Sequence, residues 1–339
     1  MGGNALKKVV TRRYARDEYY VLKERILNKI RGYITKCDVP REFPYKESFG
    51  DLDVLIVCPP SIKIQKLIED LFHPTEIVHN GDVYSFDFEQ FQIDFILVPE
   101  EQYDNAIVYF SYSDLGGLLG NICHKIGLKY GIQGLWMNVH TKEFDPTTTS
   151  TKLILSTNVQ QIFEFLGYDY EQYVKGFEND KEFFQWIING KYFRRFYFDE
   201  DQLNHAHRQR TSKRPIYIKF IAFLNEQQIP KDEITDDKNE FISNVRQQAL
   251  IYFDKQQEYN RGLNARVEKR QFREKYSGKF FTDIIDDRKN MIRIHMENFE
   301  RRFGKTEDEF FQWVLDTDPE TIKLEIEKFK NELKQNQTC

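Results

Sequence analysis

Apolar residues form two short, unbroken runs in the first hundred residues, and acidic residues stand at the start of each run. Residues 54–57 and 95–98 contain only Val, Leu, Ile and Phe, which is typical of strands that are buried on both faces. A further strand pattern over 83–88 follows the turn-type residues Asn80, Gly81 and Asp82. These patterns predict a small mixed sheet with helices on one face.

Helical patterns flank these strands and dominate the second half of the chain. Five apolar residues at near-helical spacing predict an amphipathic helix over 17–34, and another helix is predicted over 62–72. The five residues are Tyr20, Leu22, Ile26, Ile30 and Ile34. Later helices are predicted over 181–190, 215–227, 238–261, 290–303 and 306–331, with Pro319 as a candidate break. The predicted fold class is α+β, with a sheet-containing domain over 1–172 and a mostly helical C-terminal domain over 173–339.

Composition and charge narrow the class of protein. The 339 residues are 40% hydrophobic and carry a formal net charge of −5, which suits a folded protein with one or two cores rather than one that coats nucleic acid indiscriminately. The chain has no long apolar run and no basic segment before an apolar stretch. We therefore expect a cytoplasmic, intracellular protein with no signal peptide and no membrane partner.

Cysteine and histidine spacing gives little sign of a zinc site. The four cysteines lie far apart without Cys-x-x-Cys spacing, and His205 and His207 lie in a basic stretch. Free thiols and a solvated basic loop are the predictions that follow.

Three aspartates are the strongest chemical signal in the sequence. Asp51 and Asp53 are two residues apart on a predicted strand, so their side chains lie on one face, and Asp94 begins a second strand of matching length. If the strands are neighbours, the three carboxylates meet. Such a cluster suits two Mg²⁺ ions, for which Mn²⁺ can substitute, and a two-metal site of this kind catalyses phosphoryl transfer. We predict that these aspartates are catalytic residues and metal ligands.

The residues just before this strand are suited to bind phosphate. Gly50 permits a close backbone approach, and Ser48 offers a hydroxyl and an N–H group. Lys46 or Arg41 can add positive charge. We therefore predict that Ser48, Gly50 and Lys46 bind phosphate groups, and the resemblance described next implies that these belong to a nucleotide.

Around these residues the sequence resembles the nucleotidyltransferase superfamily, and within it the palm of the DNA polymerase beta family (family X). Residues 93–103 resemble that family's third-aspartate strand, and 107–114 resemble its segment beside the incoming nucleotide. The resemblance covers about 45–172. It implies a palm with a mixed sheet, in which Tyr109 and Phe110 flank the sugar and Asp114 also lies at the nucleotide. Tyr112 stands where the family has glycine, and the family's triphosphate-binding arginine has no clear counterpart.

The resemblance implies metal-dependent transfer of a nucleoside monophosphate from a nucleoside triphosphate, such as ATP, to a 3′-hydroxyl of DNA or RNA. One reading is a reduced family X DNA polymerase. A second reading is a template-independent, CCA- or poly(A)-like enzyme that acts on RNA 3′ ends. It is suggested by 276–285 and 310–315, which are similar to the helical tail of CCA-adding and related RNA nucleotidyltransferases. A small-molecule or protein acceptor, and a non-catalytic nucleotide-binding module, are the remaining alternatives.

Basic residues interleaved with aromatic residues indicate where nucleic acid would bind. Such clusters occur at 191–197, 205–214 and 261–273, and this combination suits phosphate neutralisation and base stacking. The residues predicted to contact nucleic acid are Arg194, Arg195, Arg208, Arg210, Lys213 and Arg214.

Overall fold

In the computed structural model, the two apolar runs form neighbouring strands of a five-stranded mixed sheet. The strands are β1 (Tyr14–Ala15), β2 (Lys36–Asp38), β3 (Ser48–Phe49), β4 (Asp51–Val57), β5 (Ile77–Asn80), β6 (Val83–Phe88), β7 (Phe91–Leu97), β8 (Lys129–Gly131), β9 (Gly134–Val139) and β10 (Thr151–Ser156). The sheet order is β2-β4-β7-β6-β5, in which β4 and β7 are parallel and the other neighbours are antiparallel. The parallel pair is the pair that carries the aspartates.

The structure describes residues 5–139, 151–199, 205, 208–209, 214–230, 237–285, 289–302 and 306–337. This part of the chain is α+β, with a mixed sheet and a helical C-terminal region, which confirms the predicted class at this level. The α-helices are α1 (Arg16–Ile30), α2 (Ile64–Phe72), α3 (Tyr103–Phe110), α4 (Leu115–Lys125), α5 (Val159–Leu166), α6 (Tyr170–Lys175), α7 (Asp180–Ile188), α8 (Pro215–Glu226), α9 (Lys238–Tyr252), α10 (Gln256–Lys275), α11 (Gly278–Ile284), α12 (Lys289–Arg302), α13 (Glu307–Asp316) and α14 (Pro319–Gln337).

One face of the sheet is covered by α1 and α2. Side chains alternate along a strand, so Leu52, Val54 and Ile56 of β4 join the apolar core that these helices build. On α1 the buried aromatic residue is Tyr19, whereas Tyr20, which the sequence pattern placed on the apolar face, is exposed. The other four predicted residues, Leu22, Ile26, Ile30 and Ile34, are buried, so the predicted stripe is confirmed except at Tyr20.

The opposite face of β4 begins with acids and ends with apolar residues. Leu55 and Val57 form a second apolar cluster with Tyr103 and Ala106 of α3. The expectation that helices lie on one face only is therefore wrong. Because this cluster involves only the later part of β4, the aspartates at the start of the strand lie outside it.

A second sheet has the order β10-β9-β8. Gly134 begins β9 with a φ of +90°, and a Cβ atom at this position would lie 2.2 Å from the carbonyl oxygen of Ser156. Only glycine meets both conditions without strain. The sharp turn between β8 and β9, which pair in antiparallel fashion, is therefore encoded by this residue.

The chain divides into two compact units, Met1–Asn138 with Lys152–Lys255 and Val139–Thr151 with Gln256–Cys339. The boundary predicted between residues 172 and 173 lies inside the first unit. The reason is that α7 packs on the sheet-containing part, where the ring of Phe183 stacks on Tyr112 with 5.5 Å between centroids. Helical periodicity does not reveal which core a helix joins.

An aromatic core holds the helices of the second unit together. Phe281, Phe299 and Phe310 are buried in it, and Lys275 Nζ donates to the carbonyl oxygen of Thr317 at 2.9 Å. Two predicted helices are each divided in the structure. The 238–261 helix is interrupted near Asp254, which has a φ of +51°. The 306–331 helix is divided at its predicted break, since α13 ends at Asp316 and Pro319 begins α14.

The sequence predicted free thiols and no membrane-spanning segment. Cys37, Cys58 and Cys123 are free thiols, as predicted. Within the described ranges, every helix is too short or too polar to cross a membrane.

Candidate metal centre

The three predicted aspartates lie together on one face of the parallel pair. Asp53 of β4 and Asp94 of β7 are direct partners in the strand register, and Asp51 lies two residues before Asp53. One carboxylate oxygen from each of the three lies within 4.8 Å of the others. The parallel arrangement achieves this because both strands enter the sheet from the same end.

The environment of these carboxylates disfavours their charged form. Burial is the largest cause that raises the pKa of Asp53 well above its usual value, and the negative charges of Asp51 and Asp94 add to it. Burial also raises the pKa of Asp94, against hydrogen bonds from Ser85 and Gln92 that lower it. A divalent cation would offset both the repulsion and the desolvation, so the donor set and its electrostatics fit a Mg²⁺ site.

Gln92 fixes the orientation of Asp94. Its Nε2 donates to both carboxylate oxygens of Asp94, at 3.0 and 2.9 Å. Its Oε1 accepts from the backbone N–H of Ala5 at 2.9 Å, so the amide cannot turn over without losing these bonds. The Glu76 carboxylate anchors the residues that follow Ala5, because its Oε2 accepts from the backbone N–H of Lys8 at 2.7 Å. Sequence reasoning missed Gln92, although its position two residues before Asp94 places it on the same strand face.

A fourth carboxylate lies close enough to affect the cluster. Burial is the main cause that raises the pKa of Glu42, and Asp51 adds to it while Lys46 opposes it. Glu42 Oε1 accepts from Lys46 Nζ at 2.8 Å, whereas its Oε2 has no hydrogen-bond partner among the described residues. Lys46 is thus already paired within the chain, and its binding to a nucleotide stays a prediction.

The predicted phosphate-binding residues have a cationic neighbour that sequence reasoning missed. Arg13 Nε donates to Ser48 Oγ at 3.2 Å, and its Nη2 donates to the Ser48 carbonyl oxygen at 2.8 Å. Gly50 lies between β3 and β4. Arg41, by contrast, donates to the carbonyl oxygens of Tyr173 and Val174. Arg13 reaches this region because β1 pairs with β3, a long-range pairing with no local sequence signature.

The segment predicted to lie beside the sugar follows the aspartate strands. Phe110 packs against the apolar cluster at the end of β4 and β7, and the half-buried Tyr109 packs over Gly116, where a Cβ atom would lie 2.3 Å from its ring. Tyr112 has a φ of +54° at the position where the resemblance expects glycine. Its buried ring packs on Phe43 with 5.0 Å between centroids, so side-chain packing holds a conformation that glycine would adopt freely.

Asp114 is buried and paired within the chain. Its side chain is 3% exposed and forms an ion pair with Arg214, which was itself predicted to contact nucleic acid. The binding of a nucleotide by Asp114 stays a prediction. The pair joins the start of α4 to the start of α8.

We expect Arg214→Met to lower the free energy of unfolding by about 2 kcal/mol, because it leaves a buried carboxylate without its partner while Arg214 itself keeps some solvent contact. Urea denaturation would measure the loss. The double variant Arg214→Met with Asp114→Asn should recover part of it. If the urea midpoint were unchanged and triphosphate binding were weaker, Asp114 and Arg214 would instead be part of the nucleotide site.

The predicted nucleic-acid contacts in 194–214 are only partly available. Arg195 is buried, and its guanidinium donates to Asp199 and Asn225 at 2.9 Å each, so its predicted role is corrected to a structural one. Arg194 donates to the carbonyl oxygen of Phe193. Arg208 is exposed, and Arg210 and Lys213 lie outside the described residues.

No model of a known protein family and no curated protein matches the chain. The functional argument therefore depends on the residues and on the geometry of the aspartate cluster.

Proposed function

We propose that the protein is a metal-dependent nucleotidyltransferase with a polymerase beta-like palm, which transfers a nucleoside monophosphate from a nucleoside triphosphate to a 3′-hydroxyl of nucleic acid. One observation carries this proposal. Three carboxylates from two parallel, adjacent strands meet on one sheet face within 4.8 Å of one another. This is the donor set that two-metal phosphoryl transfer requires.

The three carboxylates would hold the metal ions. Asp51 and Asp53, adjacent on one strand face, would bind both ions, and Asp94 would complete the site on the side of the acceptor hydroxyl. When bound, Mg²⁺ lowers the pKa of the attacking hydroxyl and neutralises charge on the phosphates. Gln92 supports this role because its two hydrogen bonds keep the Asp94 carboxylate in one orientation.

The chain's own cations would bind the triphosphate. Arg13 is exposed and is held beside Ser48 by two hydrogen bonds. No carboxylate partner of Arg13 is found in the described part of the chain. A guanidinium can contact phosphate oxygens through two donors at once, so Arg13 would supply the charge that the resemblance left without a counterpart. Lys46 would add to it by exchanging Glu42 for a phosphate oxygen.

Incorporation of a labelled nucleotide tests the proposal. The full chain is incubated with labelled NTP or dNTP pools, single-stranded and primed DNA or RNA ends, and Mg²⁺ or Mn²⁺. We expect metal-dependent extension of at least one acceptor, and the productive acceptor decides between a DNA polymerase and an RNA 3′-end enzyme. Asp70→Asn, which alters an exposed carboxylate on α2, should keep full activity. Metal binding without turnover on any acceptor would overturn the proposal in favour of a nucleotide-binding module.

A further inference from the structure

A tryptophan flanked by two lysines lies on the outer side of the second sheet. Trp136 is on the central strand β9, and Lys129 of β8 is its direct register partner. Lys129 Nζ lies 4.6 Å from the centroid of the indole ring, and Lys152 Nζ, from the other neighbour β10, lies 4.2 Å from it. Both neighbouring strands therefore direct a positive charge toward the same aromatic ring.

The alternation of buried and exposed residues places this ring on the open side of the sheet. Leu135, Met137 and Leu153 are buried, whereas Trp136 is half-buried and Lys152 is exposed. An indole that was needed only for the core would lie on the other face. Instead it lies between two flexible side chains that can move aside.

The two lysines have no acidic partner among the residues that the structure describes. This contrasts with Lys66, which pairs with Asp70 at 3.2 Å, and Lys219, which pairs with Asp180 at 2.7 Å. Burial lowers the pKa of Lys152, and the charge of Lys129 lowers it further. An anion that binds between the two lysines would relieve the electrostatic repulsion between their ammonium groups.

We propose that Trp136, Lys129 and Lys152 form a binding platform for single-stranded nucleic acid, in which a base stacks on the indole and the two lysines neutralise flanking phosphates. This inference rests on the proposed function in one respect. It assumes that the strand bound on this face is the strand whose 3′ end is extended. It also provides open cationic residues, which buried Arg195 and paired Arg214 do not. A nucleic-acid strand fits better than an acidic peptide because it presents an aromatic face and an anion in each repeat.

Fluorescence anisotropy with labelled oligo(dT) and oligo(rU) tests this platform on the full chain, without divalent cations. We expect Trp136→Ala to weaken binding by about 10-fold through lost stacking, and Trp136→Phe to recover much of that loss. Lys129→Gln with Lys152→Gln should weaken binding and reduce the slope of log affinity against log salt by about 1.4, because two phosphate contacts to a single strand are lost. Lys66→Gln removes an exposed lysine on α2 and should bind as the wild type does.

Binding in this assay does not depend on turnover. The assay contains no nucleoside triphosphate and no divalent cation, so failure of the proposed function and failure of the platform are distinguishable. Wild-type affinity in a folded Trp136→Ala protein would overturn the platform. Equal displacement of the oligonucleotide by poly-glutamate of the same charge would also overturn it, because it would show that stacking contributes nothing. Thermal melting of each variant identifies any that is unfolded, and Trp136→Phe then decides the outcome.

Discussion

Asp94→Asn is expected to abolish nucleotide transfer while leaving triphosphate binding largely intact. Asparagine keeps the size of the side chain but removes the negative charge that β7 contributes to the metal centre. A ligand charge on the side of the acceptor hydroxyl matters most when that hydroxyl must lose its proton. The rate of incorporation at saturating substrate should fall by at least about 1,000-fold.

The division of roles between the two strands makes this prediction specific. Triphosphate binding would depend on Asp51 and Asp53 and on the cations near Ser48, all of which the variant retains. Isothermal titration with a non-hydrolysable triphosphate and Mg²⁺ measures binding apart from turnover. Equal losses of binding and transfer would contradict the assignment of Asp94, and a similar rate loss in Asp70→Asn would show that the assay responds to any lost acid.

The sequence predicted the three aspartates but only part of their meeting. Residues two apart share a strand face, which fixes Asp51 beside Asp53. Unbroken apolar runs indicate strands that are buried on both faces, which places Asp94 at the start of a second such strand. That β4 and β7 are neighbours, with Asp53 opposite Asp94, is a long-range relation that comes from the structure.

The residues around the cluster could not be predicted in the same way. Arg13 reaches Ser48 through the pairing of β1 with β3, and Ala5 reaches Gln92 across 87 positions of sequence. These contacts depend on how remote segments pack, for which the sequence has no periodic signal. Residue type also failed to reveal burial. Arg195 was predicted to contact nucleic acid because it lies in a cluster of basic and aromatic residues, yet two side chains bind its guanidinium inside the first unit.

Two residues after β7 show what a local motif does not contain. Tyr112 stands where the resemblance has glycine, and the packing that holds its φ of +54° was not indicated by the sequence. Asp114 was predicted to lie at a nucleotide, and its ion-pair partner Arg214 is 100 positions away. The partner of a buried charge is set by the rest of the fold.

Asp53→Asn should stabilise the metal-free protein and remove its stabilisation by Mg²⁺. The folded chain holds a proton on this carboxyl more tightly than the unfolded chain, since its pKa is raised. The free energy of unfolding therefore falls as pH rises from the ordinary pKa of aspartate, about 3.9, through the raised value. At pH 8 without metal, asparagine should restore about 1–2 kcal/mol.

Magnesium should reverse the order of stability, so that the wild type becomes more stable than Asp53→Asn. At a concentration 100 times its Kd, Mg²⁺ should add about 2.7 kcal/mol to the wild type, whereas the variant lacks the central ligand and should gain little. Melting temperatures measured in EDTA and in Mg²⁺, at pH 8 and at pH 4.5, give all four comparisons. The stability gain of the variant in EDTA should shrink at the lower pH, because a larger share of the wild-type carboxyl then carries a proton. A variant that is less stable than the wild type in EDTA at pH 8 would mean that Asp53 is held by protein donors, and the cluster would then have no need of a cation.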